Sequence, residues 1–462
     1  MLFSLARRLR RQGSLSLIMV LIWSFLPAIG VPVVASSLAH AGALSVPSGM
    51  KATLLAQNTT PPTDAQCRAK YHYPCYSPQE IRKAYGVDAL ISSGFTGKGQ
   101  TIVIIDSFGS PTLAQDLKIF DKGFGLPDPP SLRVLAPLGS VKFDPNNAEQ
   151  TSWADETTLD VEWAHALAPD ASIVLLTSPV AETQGVQGMP QFLELEKYAL
   201  HNHLGKIISQ SWGTTENTLF TKDGKKLLNE FNAFYHEGAD EGVTFLASTG
   251  DTGSANPDAN GKNYPFPTVG FPASSPWVTA VGGTSLYADT KGHYQSETVW
   301  NDGGSNGATG GGISQYFKEP DYQSDNLSSA NKALLKGFRG IPDISFNADP
   351  NTPVLVYESF RGGDKAGYYG FGGTSAGSPQ WAALVADANQ LAGHPLGFLN
   401  SALYKLGASR VANLVFHDIT KGNNSQAGIA GYNATPGWDA CTGWGTPRVQ
   451  PLLQDVIRLT DD

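Results

Sequence analysis

Cysteine is scarce in this chain of 462 residues: Cys67, Cys75 and Cys441 are all there are. So few exclude a disulfide-dense mini-scaffold and any cysteine-built zinc array. Cys67 and Cys75 are close enough in "CRAKYHYPC" for a local bridge, which would leave Cys441 over; spacing alone leaves the pairing open. Charge is sparse too, at 16% of residues, with a formal net charge of −9. No basic patch occurs outside the N-terminus, which excludes a nucleic-acid partner. None of the nine histidines stands in the "HG-T/S-H" context that would mark a histidine base. His165, followed by "ALAPDA" at a helix end, fits an ordinary structural role. The glycine-rich stretch "NDGGSNGATGGGISQYF" lacks the strand-to-helix setting and the lysine of a phosphate loop, so nucleotide binding is excluded as well. No internal repeat is present.

Apolar residues are plentiful, at 41%. That supports a sizeable core in one large domain or two ordinary ones. Gly (50) and Pro (30) are both abundant, which predicts many tight turns and long surface loops. The N-terminus has Arg7, Arg8, Arg10 and Arg11 ahead of a mostly apolar run from Leu15 to Ala35, then "AHA" (Ala39–Ala41). That is the pattern of a signal peptide over residues 1–41, so the expected location is secreted, with no stable membrane association after cleavage. The alternative is an uncleaved anchor, since the run is long enough to span a bilayer. Loss of the segment removes four arginines and no acid, taking the net charge from −9 to −13. Residues 42–75 read as a linker or N-terminal extension, with "NTTPPT" inside it.

From Tyr76 onward the pattern is globular. "QTIVIIDSFGSP" predicts a buried strand over Thr101–Asp106, and "ASIVLLTSP", "KIISQSWG" and "GVTFLASTGDTGS" repeat the design. Between them lie helical patterns read as amphipathic: Glu156–Leu167, Gln191–Asn202 and Lys225–Glu241. Continuous apolar strands alternating with helices predict an α/β fold with a doubly wound, mostly parallel sheet. Its site is expected where loops leave the carboxyl ends of the strands.

The tetrapeptide GGTS occurs twice, ending at Ser285 and at Ser375. Ser285 is followed by "LYADTKGHYQSETVW", which has no helical period, and reads as a strand-end turn residue. Ser375 is followed by "AGSPQWAALVADANQLAG", a helix with Pro379 in its first turn, where a missing N–H costs least. A serine there sits in a field that favours developing negative charge, and Gly372 and Gly373 allow a bound chain to approach closely. It equally fits a simple N-cap. For a base, the acids are more suggestive than the histidines. Glu156 and Asp160 are spaced i, i+4 and so share one helix face. A close pair would share a proton; the alternative is an exposed acidic face. Asp155 and Glu162 fall on other faces and read as solvated or structural. Asp251, in "FLASTGDTGS", follows a predicted strand directly and is either a turn aspartate or a carboxyl aimed into the crevice.

These pieces together resemble the sedolisins, the serine-carboxyl peptidases on a subtilisin-like fold. The resemblance rests on "SWADETTLD", "STGDTGS", "GFPASSPWVTAVGGTS", "GGGISQYFKEPDYQ", "RGIPDISFNADP", "GGTSAGSP" and "FHDITKGNN…PGWDACTGWGTP". They occur in family order from about Tyr76 to Val456, implying a peptidase domain over residues 76–456 with helices on both faces of its sheet. GTSAxxP alone is shared with subtilisins; the ordered set ExxxD, SxGDxG and GTSAxxP is highly specific. The resemblance implies Ser375 as nucleophile, Glu156 as general base, Asp160 as the acid that orients it and Asp251 as oxyanion donor. Asp106, at a strand end like the subtilisin aspartate, has no partner histidine and reads as structural or near-site. The implied activity is a serine-type endopeptidase acting on proteins or peptides at acidic pH, with a tripeptidyl exopeptidase or a catalytically silent binding protein as alternatives. A monomer is expected. Substrate is expected on Ser209, Ser211, Trp212 and Gly213 by strand addition. The resemblance also implies one structural Ca2+ on the carboxylates of Asp418 and Asp439 and the carbonyls of Ile419, Thr435 and Gly437. Thr435 stands where the family usually has Gly. Family members commonly carry a long folded propeptide; Gly42–Gln66 is too short for such a module.

Overall fold

A computed structural model describes residues 52–304 and 307–461. The expected signal peptide, residues 1–41, lies outside the described residues. Among these, eight strands form the central sheet. We number them β1 (Thr101–Ser107), β2 (Leu132–Leu135), β3 (Ser172–Ser178), β4 (Ile207–Gln210), β5 (Thr244–Ser248), β6 (Thr279–Ala288), β7 (Tyr294–Val299) and β8 (Ile344–Asn347). The spatial order is β7-β6-β5-β4-β1-β3-β2, with β8 also paired to β6. Every pairing is parallel except that of β7 with β6.

The core explains this arrangement. In β1, Ile102 and Ile104 join one apolar cluster with Leu159, Trp163 and Leu384, while Val103 and Ile105 join another with Phe192, Leu228 and Phe231. Alternation of side chains along a strand thus feeds two cores, one on each face, each roofed by helices. The sheet is doubly wound, as the sequence predicts. The chain winds from β1 out to β2 and β3, then returns to β4 on the opposite side of β1. The order reverses at β1, which fixes the crevice at the carboxyl ends of β1, β3 and β4.

Two helices serve that crevice. Helix α1 (Ala148–Leu167) starts where Asn147 accepts hydrogen bonds from the N–H groups of Glu149 and Gln150. It is not amphipathic: every residue from Trp153 to Leu167 is buried. The reason is its position, packed against β1, the second helix and the strand Val354–Glu358. Helix α2 (Gly377–Ala392) is buried to Asn389 and ends at Gly393 in a left-handed conformation. Asp155 and Glu162 are accordingly structural and not solvated. Asp155 pairs with Arg361 at 2.6 Å, and Glu162 accepts the Tyr357 N–H at 2.9 Å.

Residues 42–75 are not simply a linker. Ala52–Ala56 forms a strand that pairs antiparallel with Gly367–Phe371, which in turn pairs with Val354–Glu358. A helix, Asp64–Tyr71, follows behind a capping box made by Thr63 and Gln66. Cys67 and Cys75 are bonded to each other, and Cys441 is free and buried. Five apolar-leaning residues between polar tracts are too few to show a period, so pairing partners far along the chain decide this strand. Ser285 also departs from expectation. It lies within β6, buried, and donates to Asp349 at 2.6 Å.

The fold buries many carboxyl groups. Glu216 accepts from the Ser314 hydroxyl and the Gln315 N–H, and Glu297 accepts from the hydroxyls of Tyr85, Thr284 and Thr446. Burial pushes each up to about 7 against these hydrogen bonds. A raised carboxyl holds its proton in the folded chain at a pH where the unfolded chain has released it. Folded protein therefore binds more protons between the ordinary carboxylate range and about 7, and stability must fall as pH rises through that window. Thermal denaturation should give its highest Tm near pH 4 and a progressive decline to pH 7.5; a Tm that rises over this interval would contradict the assignment.

Candidate active site

Ser375 lies in a single 3-10 turn, Thr374–Ala376, that runs directly into α2. It is buried but lines a cleft at the ends of β4 and β5, together with Trp212, Gly213, Asp251 and Phe271. As one of the first amides of a helix, its N–H has no intrahelical acceptor.

Glu156 and Asp160 are fully buried, so they are not an exposed acidic face. Burial comes first among the causes that push Glu156 well above the ordinary carboxylate range, followed by the charge of Asp106; the Ser375 hydroxyl pulls it back. Burial, then Asp106, then Glu156 raise Asp160, and the Ser211 hydroxyl opposes them. Asp106 itself is pushed up to about 7 by burial, and the nearby Thr157 hydroxyl pulls it back without closing a hydrogen bond of good geometry. Ser375 and Glu156 are therefore neighbours, although neither Glu156 oxygen closes a hydrogen bond of good geometry. Such contacts commonly tighten only with substrate bound. Three carboxyls in one dry pocket behave as a coupled set that sheds its first proton much more readily than the others.

Asp251 faces Ser375 from the end of β5. Its Oδ1 accepts from the Thr374 N–H at 2.7 Å and the Thr374 hydroxyl at 2.9 Å. The Thr374 oxygen in turn accepts from the Gly250 N–H at 3.0 Å. Oδ2 is buried with no partner. Burial raises Asp251 to about 6, opposed by the Thr374 hydrogen bonds. The structure thus brings together the three acids, Glu156, Asp160 and Asp251, and the serine that the sequence singles out. It adds Thr374, which holds Asp251 through both its N–H and its hydroxyl and for which the sequence pattern gives no signal. Asp106 joins them as the principal charge acting on Glu156 and Asp160; its place at the end of an apolar strand was the available signal.

The expected substrate residues divide. Ser211, Trp212 and Gly213 line the cleft. Trp212 also packs into the core, its ring tilted against Phe192 with the centroids 4.4 Å apart. Ser209 does not reach the cleft. It lies on the same strand face as Ser211 but one step deeper, where α2 covers it and its hydroxyl meets that of Ser378 at 2.9 Å. The floor adds Gln184 and Asn256, which sequence gave no reason to choose. Gln184 accepts from the Thr215 N–H at 2.9 Å, and Asn256 donates to the Thr268 carbonyl at 2.8 Å.

The residues expected to hold calcium are gathered around one loop. Asp418 accepts the Gly437 N–H at 2.9 Å, and Asp439 accepts the N–H groups of Thr435, Cys441 and Thr442. Among the described residues, no group of three or more His, Cys, Asp or Glu side chains is arranged around a metal position. Any ion here would depend on two carboxylates and on the carbonyls of Ile419, Thr435 and Gly437, none of which accepts a hydrogen bond among the described residues. An all-oxygen set of this kind suits a hard cation.

A serine at a helix start beside buried acids, on a parallel sheet of this order, defines a subtilisin-like chain. Residues 146–444 match the Subtilase family. Kumamolisin of Bacillus sp. (strain MN-32) is 38% identical over 390 residues, covering 83% of this chain and 64% of that protein. Tripeptidyl-peptidase sed4 of Aspergillus fumigatus is 32% identical over 372 residues, covering 69% of this chain and 58% of that one. The chain therefore spans less than two thirds of the length of either relative. A solved structure, Pseudomonas sedolisin (serine-carboxyl proteinase) complexed with pseudo-iodotyrostatin, is 32% identical with a TM-score of 0.69, covering 83% of this chain and 98% of that one. The chain belongs to the sedolisin family of subtilisin-like proteins.

Gly373 is a position where a side chain would disturb the site directly. Its φ of 126° falls where side chains are rarely accepted, and an added Cβ would lie 2.8 Å from Asp251 Oδ2. Gly362 also has positive φ, but an added Cβ there meets open space. Gly362→Ala should cost about 1 kcal/mol. Gly373→Ala should cost visibly more in chemical denaturation, because strain and displacement of Asp251 add; equal losses would show that the contact with Asp251 is unimportant.

Proposed function

We propose that this chain is a serine-carboxyl endopeptidase that hydrolyses peptide bonds of proteins in acid, with Ser375, Glu156, Asp160 and Asp251 as its catalytic residues. The observation that carries the reading is the pairing of two differently placed acids around one serine. The coupled acids lie on its base side, and a buried carboxyl with one unpartnered oxygen lies across the cleft. Family membership and the similarity to kumamolisin support it.

Glu156 takes the Ser375 proton as Oγ bonds to the scissile carbonyl carbon. Charge moves to the carbonyl oxygen, where the Ser375 N–H and the Asp251 O–H donate to it. Asp160, sharing a proton with Glu156, stabilises the protonated pair. Glu156 then gives its proton to the leaving amine as the C–N bond breaks. Water attacks the acyl-enzyme by the same route in reverse order, restoring the Ser375 hydroxyl. Asp251 must be protonated to donate, as carboxyls in dry sites can be at their working pH. Only one carboxylate of the coupled set must be ionised, and its first proton leaves most readily. Activity should therefore decline as pH rises through about 6, where Asp251 ionises.

The oxygen donors about Asp418 and Asp439 fit one structural Ca2+. It would fix the C-terminal loop without touching the chemistry. Export follows from the N-terminal pattern, and no helix among the described residues is long and apolar enough to cross a membrane.

Two measurements test these proposals. The first is cleavage of a denatured protein between pH 3 and 8. The parent should lose activity above about pH 6. Ser375→Ala and Glu156→Gln should each lose on the order of 10⁴-fold or more. Asp251→Asn should lose on the order of 10²-fold and become flat across the alkaline side. Peptides with acetylated N-termini should be cut as readily as free ones; cutting restricted to free N-termini, three residues in, would replace endopeptidase by tripeptidyl peptidase. The second is a thermal scan with and without a calcium chelator. Chelation should lower Tm and added Ca2+ should restore it; an unchanged Tm would remove the ion from the account.

A further inference from the structure

The N-terminal strand Ala52–Ala56 has no counterpart in the chemistry just described, yet it is built into the element that carries the nucleophile. Its register is Ala52 to Phe371, Thr53 to Gly370, Leu54 to Tyr369 and Ala56 to Tyr368. Leu55 is buried under the small sheet, and an added Cβ on Gly370 would lie 3.1 Å from its Cδ1. The strand is anchored from behind. Tyr71 donates to the Leu55 carbonyl at 2.9 Å, and Arg68, held by Asp64, donates to the Ala288 carbonyl at the end of β6, also at 2.9 Å. The Cys67–Cys75 bridge closes this anchor.

The middle strand, Gly367–Phe371, runs on through Gly372 and Gly373 to Thr374 and Ser375. The far strand, Val354–Glu358, is bonded to α1. Leu355 accepts from Trp163 at 2.9 Å, Tyr357 donates to Glu162, and Arg361 just beyond it bridges Glu358 and Asp155. One small sheet therefore holds the serine at one side and the helix of Glu156 and Asp160 at the other. Without Ala52–Ala56, the strand that leads to Ser375 would become an edge strand with unpaired N–H and C=O groups.

We propose that Ala52–Ala56 is a positioning strand: by completing this sheet it fixes the Ser375 loop against the acids of α1. The proposal rests on the catalytic reading above. Misplacing reacting groups by about 1 Å can cost about 10²-fold in rate, and the contact of Ser375 with Glu156 is not tight to begin with.

The test is Thr53→Pro/Leu54→Pro in the full chain, which breaks pairing whichever residue faces Gly367–Phe371. Hydrogen exchange of the Gly367–Phe371 amides reports release of the strand. If protection persists, Leu55→Asp is the second means of release. On release, kcat should fall about tenfold at a temperature well below Tm, with KM within about twofold. The alkaline limb should move to higher pH, because Thr374 then holds the Asp251 carboxylate less well. A synthetic peptide of residues 51–57 should restore part of kcat by strand addition. A released strand with parental kcat and pH profile overturns the proposal, as does a loss confined to Tm. Failure of the catalytic reading would look different: Ser375→Ala would stay active in a chain whose strand is intact.

Discussion

Putting Glu156, Asp160 and Asp106 together out of reach of water is the constraint on which the rest of this molecule turns. Isolated buried charge is expensive, and like charges make it more so. The chain meets the difficulty by letting the groups keep protons, and hydroxyl donors from Thr157, Ser211 and Ser375 stabilise whatever charge remains. That solution requires the helix bearing two of the acids to be enclosed on every side. Enclosure in turn demands an α2 rich in alanine, so that α1 and α2 can approach closely, and a small sheet across the remaining face. A His-based site would impose no such demand, since a neutral imidazole is less costly to bury than a carboxylate.

The same constraint separates the two sides of the cleft. Asp251 is as dry as the acids of α1, but its neighbours differ. It has two hydrogen bonds from Thr374, and burial is the cause that raises it. The base-side set is raised by mutual charge as well. Environments that push titratable groups apart are how one fold assigns acid and base roles. Here a backbone turn makes the difference: Gly373 lets the chain pass close to Asp251, so that Thr374 holds one oxygen and the other is left buried without a partner.

Much of this was legible in the sequence, and for identifiable reasons. Continuous apolar strands such as "TIVII" and "SIVLL" declare a sheet covered on both faces, because a half-exposed strand would alternate. Spacing of four put Glu156 and Asp160 on one face, and Pro379 with the alanines after Ser375 placed a helix start there. Burial was not legible. Glu156 and Asp160 fit an exposed acidic stripe equally well until the packing of α1 is known, and α1 itself was read as amphipathic. Ser209 was misplaced because a strand's face can be read from alternation but its depth cannot; α2 decides that. The strand Ala52–Ala56 was missed because its partners stand more than three hundred residues away, and no local rule carries information over that distance.

That last case shows how the parts of the fold depend on one another. The central sheet alone positions Asp251 and Asp106, each at the end of its own strand. It does not by itself position Ser375, which arrives by a loop from a different sheet, nor α1, which packs against α2 and Val354–Glu358 as well as against β1. What limits both is the three-stranded sheet, whose outer strands come from the chain's first described residues and from Val354–Glu358. Tyr76 ties the two systems together, its hydroxyl donating to the Leu286 carbonyl and accepting from the Ala288 N–H at the end of β6. Ser375 and Glu156 are thus both tied to a small sheet whose strands lie outside the cleft. This is why a site assembled from residues 106, 156, 160, 251 and 375 needs nearly the whole described chain to hold it.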